Sequence, residues 1–353
     1  MLEDIALLPE EQTSIDRPKG ISVGRVSLEH KNYYIVITGQ GEMPAVPIGR
    51  MYYDPGPNGM PVVGDMVEIR ILDEDPPHAI ITSILPRKSL FARKEAGKRT
   101  GIQPIAANID TVFIVCGLDA NFSIRRIERY LTLALESGAQ SVIVLTKADI
   151  CDDVSEKIES VRISAAGCPV CAISTYTGAG LSELATHLQA NTIIALLGSS
   201  GVGKSTLTNY LLGNDIQRIQ EVRDVDGRGR HTTTSRQLFV LPSGCCVIDT
   251  PGMRELGLVD ADTGLVDAFA DIEEIAENCR FVDCSHEGEP GCAVVEAVEN
   301  GVLDPNRFEN YSKMKRELLY IERKQDTGAA AAERTKWKKI HKMARDLNKR
   351  DPK

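Results

Sequence analysis

Gly198-Ser199-Ser200-Gly201-Val202-Gly203-Lys204-Ser205 satisfies G-x-x-x-x-G-K-[ST], the loop that cradles nucleotide phosphates. It lies between the apolar run Ile193–Leu197 and the helix-forming stretch Ser205–Leu212, the strand-to-helix setting such a loop requires. Backbone N–H groups of the loop and of the helix start are expected to bind phosphate oxygens. Lys204 is expected to reach the β- and γ-phosphates and Ser205 to ligate Mg²⁺, with Thr206 among the nucleotide contacts. A guanine-nucleotide domain ordinarily continues with a switch threonine, D-x-x-G and then N-K-x-D. Here Thr146-Lys147-Ala148-Asp149 precedes the loop, and Asp249-Thr250-Pro251-Gly252 follows it by about 45 residues. That order is the order of a circularly permuted domain.

Each motif has a chemical reason. Asp149 can accept from the N1–H and the exocyclic amine of guanine together, a pattern adenine does not present, so an ATPase is disfavoured. Lys147 packs over the base plane. Thr146 stands where asparagine usually braces the loop, which predicts weaker affinity with guanine specificity kept. Ala172-Ile173-Ser174-Thr175 suits the loop that touches guanine O6, with Ser174 in the site. Asp249 ends the strand CCVID and is expected to hold Mg²⁺ through water, while the Gly252 N–H senses the γ-phosphate. Met253 occupies the place of the glutamine that orients attacking water, which predicts slow hydrolysis. Between these motifs, Gly227-Arg228-Gly229-Arg230-His231-Thr232-Thr233-Thr234 supplies a switch segment. Thr233 or Thr234 is expected to complete the Mg²⁺ shell. His231 either positions water and stabilises charge, or is a loop histidine with no catalytic part.

Cys279-x4-Cys284-x-His286-x5-Cys292 places three thiols and one imidazole within fourteen positions, the pattern of a closed, structural tetrahedral Zn²⁺ site. In a loop-rich segment with little core, such a metal supplies folding free energy. Cys168-Pro169-Val170-Cys171 has redox spacing but leads into a strand rather than onto a helix start, so core packing is expected there.

Around these sites the chain divides by rhythm. Residues 1–19 read as a polar lead-in. Over 20–86, short alternating strands (GRVSLEH, NYYIVIT, DMVEIRIL, HAIITSIL) alternate with turn signals and predict a small β-barrel, of OB or SH3-like type with OB favoured. The stretch 87–109, opening on RKSLFARKEAGKR, reads as a basic linker or a loop facing phosphate. From 110 to 265, apolar strands alternate with amphipathic helices, giving a parallel α/β sheet with one antiparallel pair. Residues 266–312 read as an α-helical metal-binding domain and 313–353 as a basic helical tail. The net charge is −9, yet the tail carries 14 Lys and Arg against 6 Asp and Glu, leaving −17 on the rest. No run of eighteen apolar residues exists and the start lacks a basic, then apolar, leader. Nine cysteines without a secretory signal argue for reduced thiols or metal ligands. A cytoplasmic, monomeric protein without membrane contact is expected.

Taken together, QPIAANID (103–110), GSSGVGKSTLTN (198–209), GRHTTT (229–234), DTPGMREL (249–256), CRFVDCSHEGEPGCAV (279–294) and RFENYSKM (307–314) resemble the RsgA (YjeQ) family over roughly Gly20 to Tyr311. The resemblance implies an OB domain, a permuted GTPase domain and a C-terminal zinc-binding domain. It also implies slow GTP hydrolysis that is faster on the small ribosomal subunit, contact with its rRNA, and a part in its late maturation. His231 matches the family's proposed catalytic histidine, and Cys279, Cys284, His286 and Cys292 match its zinc ligands. Thr146 and the long basic tail depart from the family pattern. The alternative reading is a GTP/GDP binding switch acting on another RNA or protein, with turnover incidental.

Overall fold

The computed structural model describes residues 20–30, 33–53, 59–72, 74–94, 102–213, 236–249 and 262–325. The lead-in 1–19, the switch segment with His231, Thr233 and Thr234, the Thr250–Met253 stretch with Gly252, and the tail beyond 325 lie outside these residues.

Five strands close a barrel: β1 (Ser22–Glu29), β2 (Tyr34–Thr38), β3 (Gly41–Pro47), β4 (Met66–Leu72) and β5 (His78–Ile84), in the order β1-β2-β3-β5-β4 with β4 returning to β1. Only β3 and β5 run parallel. This is the OB-type arrangement. One inward face fills it, with Val26, Val36, Val67, Ile69, Ala79 and Ile81 each fully buried. Strand β3, GEMPAVP, carries two prolines, Pro44 and Pro47, inside a barrel strand. In the fold, Met43, Ala45 and Pro47 point inward while Pro44 faces out, the period-2 alternation that a pleated strand demands.

The second sheet comprises β8 (Thr111–Gly117), β9 (Gln140–Thr146), β10 (Val170–Ala172), β11 (Ile193–Leu197), β12 (Arg236–Val240) and β13 (Cys246–Asp249). Its order is β10-β9-β8-β11-β13-β12, parallel throughout except for β12. Helices α1 (Ile124–Glu136), α2 (Val154–Ser164), α3 (Leu181–Ala185) and α4 (Lys204–Leu212) connect the strands. Both faces are covered, so alternate residues of one strand enter different cores. Val112 and Ile114 join one, Phe113 and Val115 the other. That double burial explains why these strands read as continuous apolar runs. Strand β1 pairs with β12 at Leu28↔Gln237 and Glu29↔Arg236, making barrel and sheet continuous.

The stretch read as a basic linker instead carries a hairpin, β6 (Leu90–Lys94) with β7 (Ile102–Ala107). Its basic residues mask a buried stripe: Phe91, Ile105, Ala106 and Ala107 are each at most 2% exposed. Arg87 donates twice, at 2.7 Å, to the fully buried Asp65 of the barrel. Such a paired charge tolerates burial, whereas a lone one would not.

Among the described residues, four further helices follow: α5 (Asp262–Ala268), α6 (Ala270–Ala276), α7 (Ala293–Glu299) and α8 (Pro305–Gln325). They share the larger core with the α/β sheet, through Leu265, Phe269, Ile272, Val294, Tyr311, Met314 and Leu318. Helix α5 lies so close to α1 that a Cβ on Gly264 would sit 2.4 Å from the Thr132 carbonyl oxygen. Helix α8 runs unbroken through residue 313, where the tail was expected to begin, and buries Met314 and Leu318 beyond it. Among the described residues no helix is long and apolar enough to cross a membrane.

Candidate functional site

The phosphate loop leaves β11 at the edge where β8, β9, β10 and β13 also end, since all five strands are parallel. Gly198 turns the chain with φ 153°, and a Cβ there would lie 2.3 Å from the Val115 carbonyl of β8. Only glycine fits that approach. Gly201 and Gly203 adopt left-handed backbone at φ 79° and 97°, and α4 starts at Lys204. The Lys204 ammonium donates to the carbonyls of Gly198 at 2.6 Å and Ser199 at 2.5 Å. Ser205 and Thr206 occupy the first turn of α4, so their hydroxyls and backbone amides sit at the positive end of that helix.

Fifty-six residues apart in sequence, the T-K-A-D stretch and the loop are bonded to one another. The buried Thr146 hydroxyl, at the end of β9, donates to the Val202 carbonyl at 2.5 Å. Lys147 has left-handed backbone, φ 62°, and its ammonium donates to the Gly201 carbonyl at 2.8 Å. The same ammonium pairs at 2.6 Å with Asp119, a residue the sequence reading missed. Ala148 and Asp149 form a short 3₁₀ turn, with Asp149 exposed and the Ala148 N–H bonded to the Ile173 carbonyl at 3.1 Å. Ser174 is buried, and its hydroxyl accepts from the Tyr176 and Thr177 amides at 3.2 and 3.1 Å, shaping the neighbouring loop. Asp249 ends β13, whose register places Ile248 beside Ala195 of β11. The structure therefore brings the phosphate loop, the T-K-A-D turn and Ser174 to one sheet edge and ends β13 there. No step of the reading that needs His231, Thr233, Thr234 or Gly252 falls within the described residues.

Ligand atoms of Cys279, Cys284, His286 and Cys292 all lie within 4.8 Å of one another. Cys279 Sγ is 3.7 Å from His286 Nδ1 and 4.0 Å from Cys292 Sγ, and Nδ1 is 3.4 Å from Cys292 Sγ. Tetrahedral bonds of about 2.3 Å to sulfur and 2.0 Å to nitrogen would separate ligands by roughly these spans. Three thiols this close without a disulfide, joined by one imidazole nitrogen, form a donor set that can hold a metal ion. Local backbone builds the set: His286 is left-handed at φ 61°, and Cys292 caps α7. Glu289 ties the loop by accepting from the Ser285 hydroxyl and from the Ser285 and Glu287 amides, which pull its carboxyl down to about 2.

Cys168 and Cys171 flank and enter β10. Burial raises both thiols, that of Cys171 to about 11, so neither is an activated thiolate and packing accounts for them.

A second feature absent from the sequence reading holds the helical module in place. Arg307 of α8, 6% exposed, donates to Glu128 of α1 at 2.7 Å, to Asp271 of α6 at 2.6 and 2.8 Å, and to the Ala268 carbonyl at 3.0 Å. Its guanidinium also stacks 4.7 Å from the Phe269 ring centroid. Asn310 adds a 2.6 Å bond to the other Glu128 oxygen.

Comparison with known proteins agrees with this geometry. A model of the RsgA GTPase family matches residues 84–259. A Lactiplantibacillus plantarum protein, small ribosomal subunit biogenesis GTPase RsgA 2, is 46% identical over 310 residues, covering 88% of this chain and 87% of that protein. A Listeria innocua protein, small ribosomal subunit biogenesis GTPase RsgA 1, is 41% identical over 332 residues, covering 94% of each. Among solved structures, YjeQ from Thermotoga maritima aligns with a TM-score of 0.63 at 31% identity, over 85% of this chain and 99% of that one. YloQ, described as a circularly permuted GTPase, aligns with the same TM-score over 86% and 98% at 24% identity, and shows the fold alone. With the phosphate loop braced by a T-K-A-D turn that precedes it in the chain, and with relatives of this identity along nearly its whole length, the chain belongs to the RsgA family of GTPases, enzymes that hydrolyse GTP.

Proposed function

We propose that this chain hydrolyses GTP in step with binding to the small ribosomal subunit and acts in late maturation of that subunit. The observation that carries the reading is the direct bond between the guanine-reading turn and the phosphate loop in a chain 46% identical to a small ribosomal subunit biogenesis GTPase. In this reading Asp149 selects guanine, and Lys147 covers the base. The amides from Gly198 to Gly203, with Lys204 and Thr206, hold the phosphates. Ser205, Asp249 and Thr233 or Thr234 hold the Mg²⁺ that accompanies GTP and neutralises phosphate charge. Gly252 reports the γ-phosphate, and His231 stands in for the glutamine that Met253 replaces. The metal of the Cys279, Cys284, His286 and Cys292 set is zinc, with a structural role, because four protein donors leave no open position.

The domain limits proposed are 20–86 for the barrel, 110–265 for the GTPase domain and 266–312 for the zinc-binding domain. The protein works in the cytoplasm as a monomer, with basic residues of the tail contributing salt-sensitive rRNA contacts. Switch segments joined directly to the helical module give loss of the γ-phosphate a route to reorient that module.

The test is GTP turnover by purified protein alone and with salt-washed small subunits, large subunits or free RNA. A large increase with small subunits only is expected. Stimulation by large subunits or free RNA, or by none of the additions, would overturn the subunit-coupled reading. Met253 favours a second reading, a binding switch with incidental turnover, only if no surrogate such as His231 exists; under it, His231→Ala leaves turnover unchanged with and without subunits.

A further inference from the structure

We propose that Asp119 is a positioning residue for the guanine pocket, its carboxylate holding the Lys147 ammonium so that the lysine stem lies ready across the base plane. The inference rests on the reading of Thr146–Asp149 as the guanine-binding turn. Asp119 follows β8 and is itself held on several sides. Its Oδ1 accepts from the Asn121 amide at 2.8 Å, and its carbonyl accepts from the Phe122 amide at 2.9 Å. Its Oδ2 takes the Lys147 ammonium at 2.6 Å. Gly117 leaves it room, since a Cβ there would sit 3.0 Å from Oδ1.

Lysine is a flexible four-carbon cation, and unrestrained it samples many rotamers. Here both ends are restrained. The backbone is held in the left-handed region, which a side-chain-bearing residue keeps only where its surroundings impose it. The ammonium is gripped between the Asp119 carboxylate and the Gly201 carbonyl of the phosphate loop. The pair is 33% and 19% exposed, so its contribution to folding is small. What it determines is direction. A stem already stretched from the end of β9 to the Asp119 carboxylate and the Gly201 carbonyl loses less freedom when a base stacks on it. The Lys147 bond, followed by the Asn121 amide, also keeps the Asp119 carboxyl below its ordinary range.

The test is a double-mutant cycle with Asp119→Asn, Lys147→Ala and both together, read by binding of a fluorescent N-methylanthraniloyl GDP and by steady-state GTP turnover. Asparagine keeps an oxygen for the Asn121 amide, and thermal melting checks that the fold is retained. Asp119→Asn is expected to weaken binding about tenfold when Lys147 is present and less than about twofold when it is alanine. The loss should fall on KM rather than kcat. Equal losses in both backgrounds, no loss, or tighter binding would overturn the proposal. Asp149→Asn, tested beside it, should transfer preference from GDP to xanthosine diphosphate. A retained guanine preference would instead remove the pocket reading itself, whatever the cycle gives.

Discussion

Thr146 shows how one hydroxyl can replace an amide. Asparagine at this position braces the phosphate loop through its side chain, and threonine was expected to brace it less well. The hydroxyl is short, but β9 ends close enough to the loop for it to reach the Val202 carbonyl at 2.5 Å, with the Cys116 carbonyl 3.4 Å away. Both partners are buried, so removing the donor leaves an unpaired carbonyl. Thr146→Val, which keeps the shape and removes only the hydroxyl, should cost about 1–3 kcal/mol of nucleotide-bound stability. Isothermal calorimetry should then show GDP affinity roughly tenfold weaker. Unchanged affinity would mean that the Val202 bond does not support the loop. The identity of this residue was legible in the motif. Its partner was not, because the distance across a sheet edge does not exist in sequence.

At the scale of elements, α1 connects the chemistry to the C-terminal helices. Its RRIERYL stretch reads as an ordinary charged helix face, yet Glu128 is 1% exposed and Arg307 meets it from 179 residues away. A carboxylate this deeply buried is costly to leave without its partner. Arg307→Leu should therefore destabilise the protein by about 3–5 kcal/mol, seen as a lower midpoint in urea denaturation. Adding Glu128→Leu should recover much of that loss, because the double variant buries no unpaired charge. If the double variant is no more stable than the single one, the loss comes from Asp271, Ala268 and the Phe269 stack instead. The hairpin β6–β7 is an analogous case. Its basic residues suggest a linker, while its alternating Phe91 and Ile105 were recognisable only once the barrel stood beside them.

Over the whole molecule, barrel, α/β sheet and helical module form one connected body. Strand β1 pairs with β12, and a single core cluster runs from Ile37 of the barrel to Leu318 of α8. The metal set lies within that body, since Cys292 and Val294 are part of the cluster. Stripping the metal with a chelator at neutral pH should release one equivalent of zinc, measured with a colorimetric indicator. Thermal melting should then fall by several degrees, and Cys284→Ser should reproduce the effect, because metal binding there is folding free energy. An unchanged melting temperature after complete removal would make the cluster dispensable for the fold.

The sequence by itself determined the motifs and their order. Residue types at set spacings mark the phosphate loop, the T-K-A-D turn and the thiol–imidazole set, since each is a local run recognised by the groups it contains. Hydrophobic periodicity carried the β-barrel and the parallel sheet in the same way. Tertiary structure alone decided what those groups touch. The Asp119–Lys147 grip, the Thr146 brace, the Arg307 network and the continuity of β1 with β12 join residues from 28 to 209 positions apart. Periodicity records which way a side chain faces and not which element it will meet, so these contacts became visible only in the folded chain.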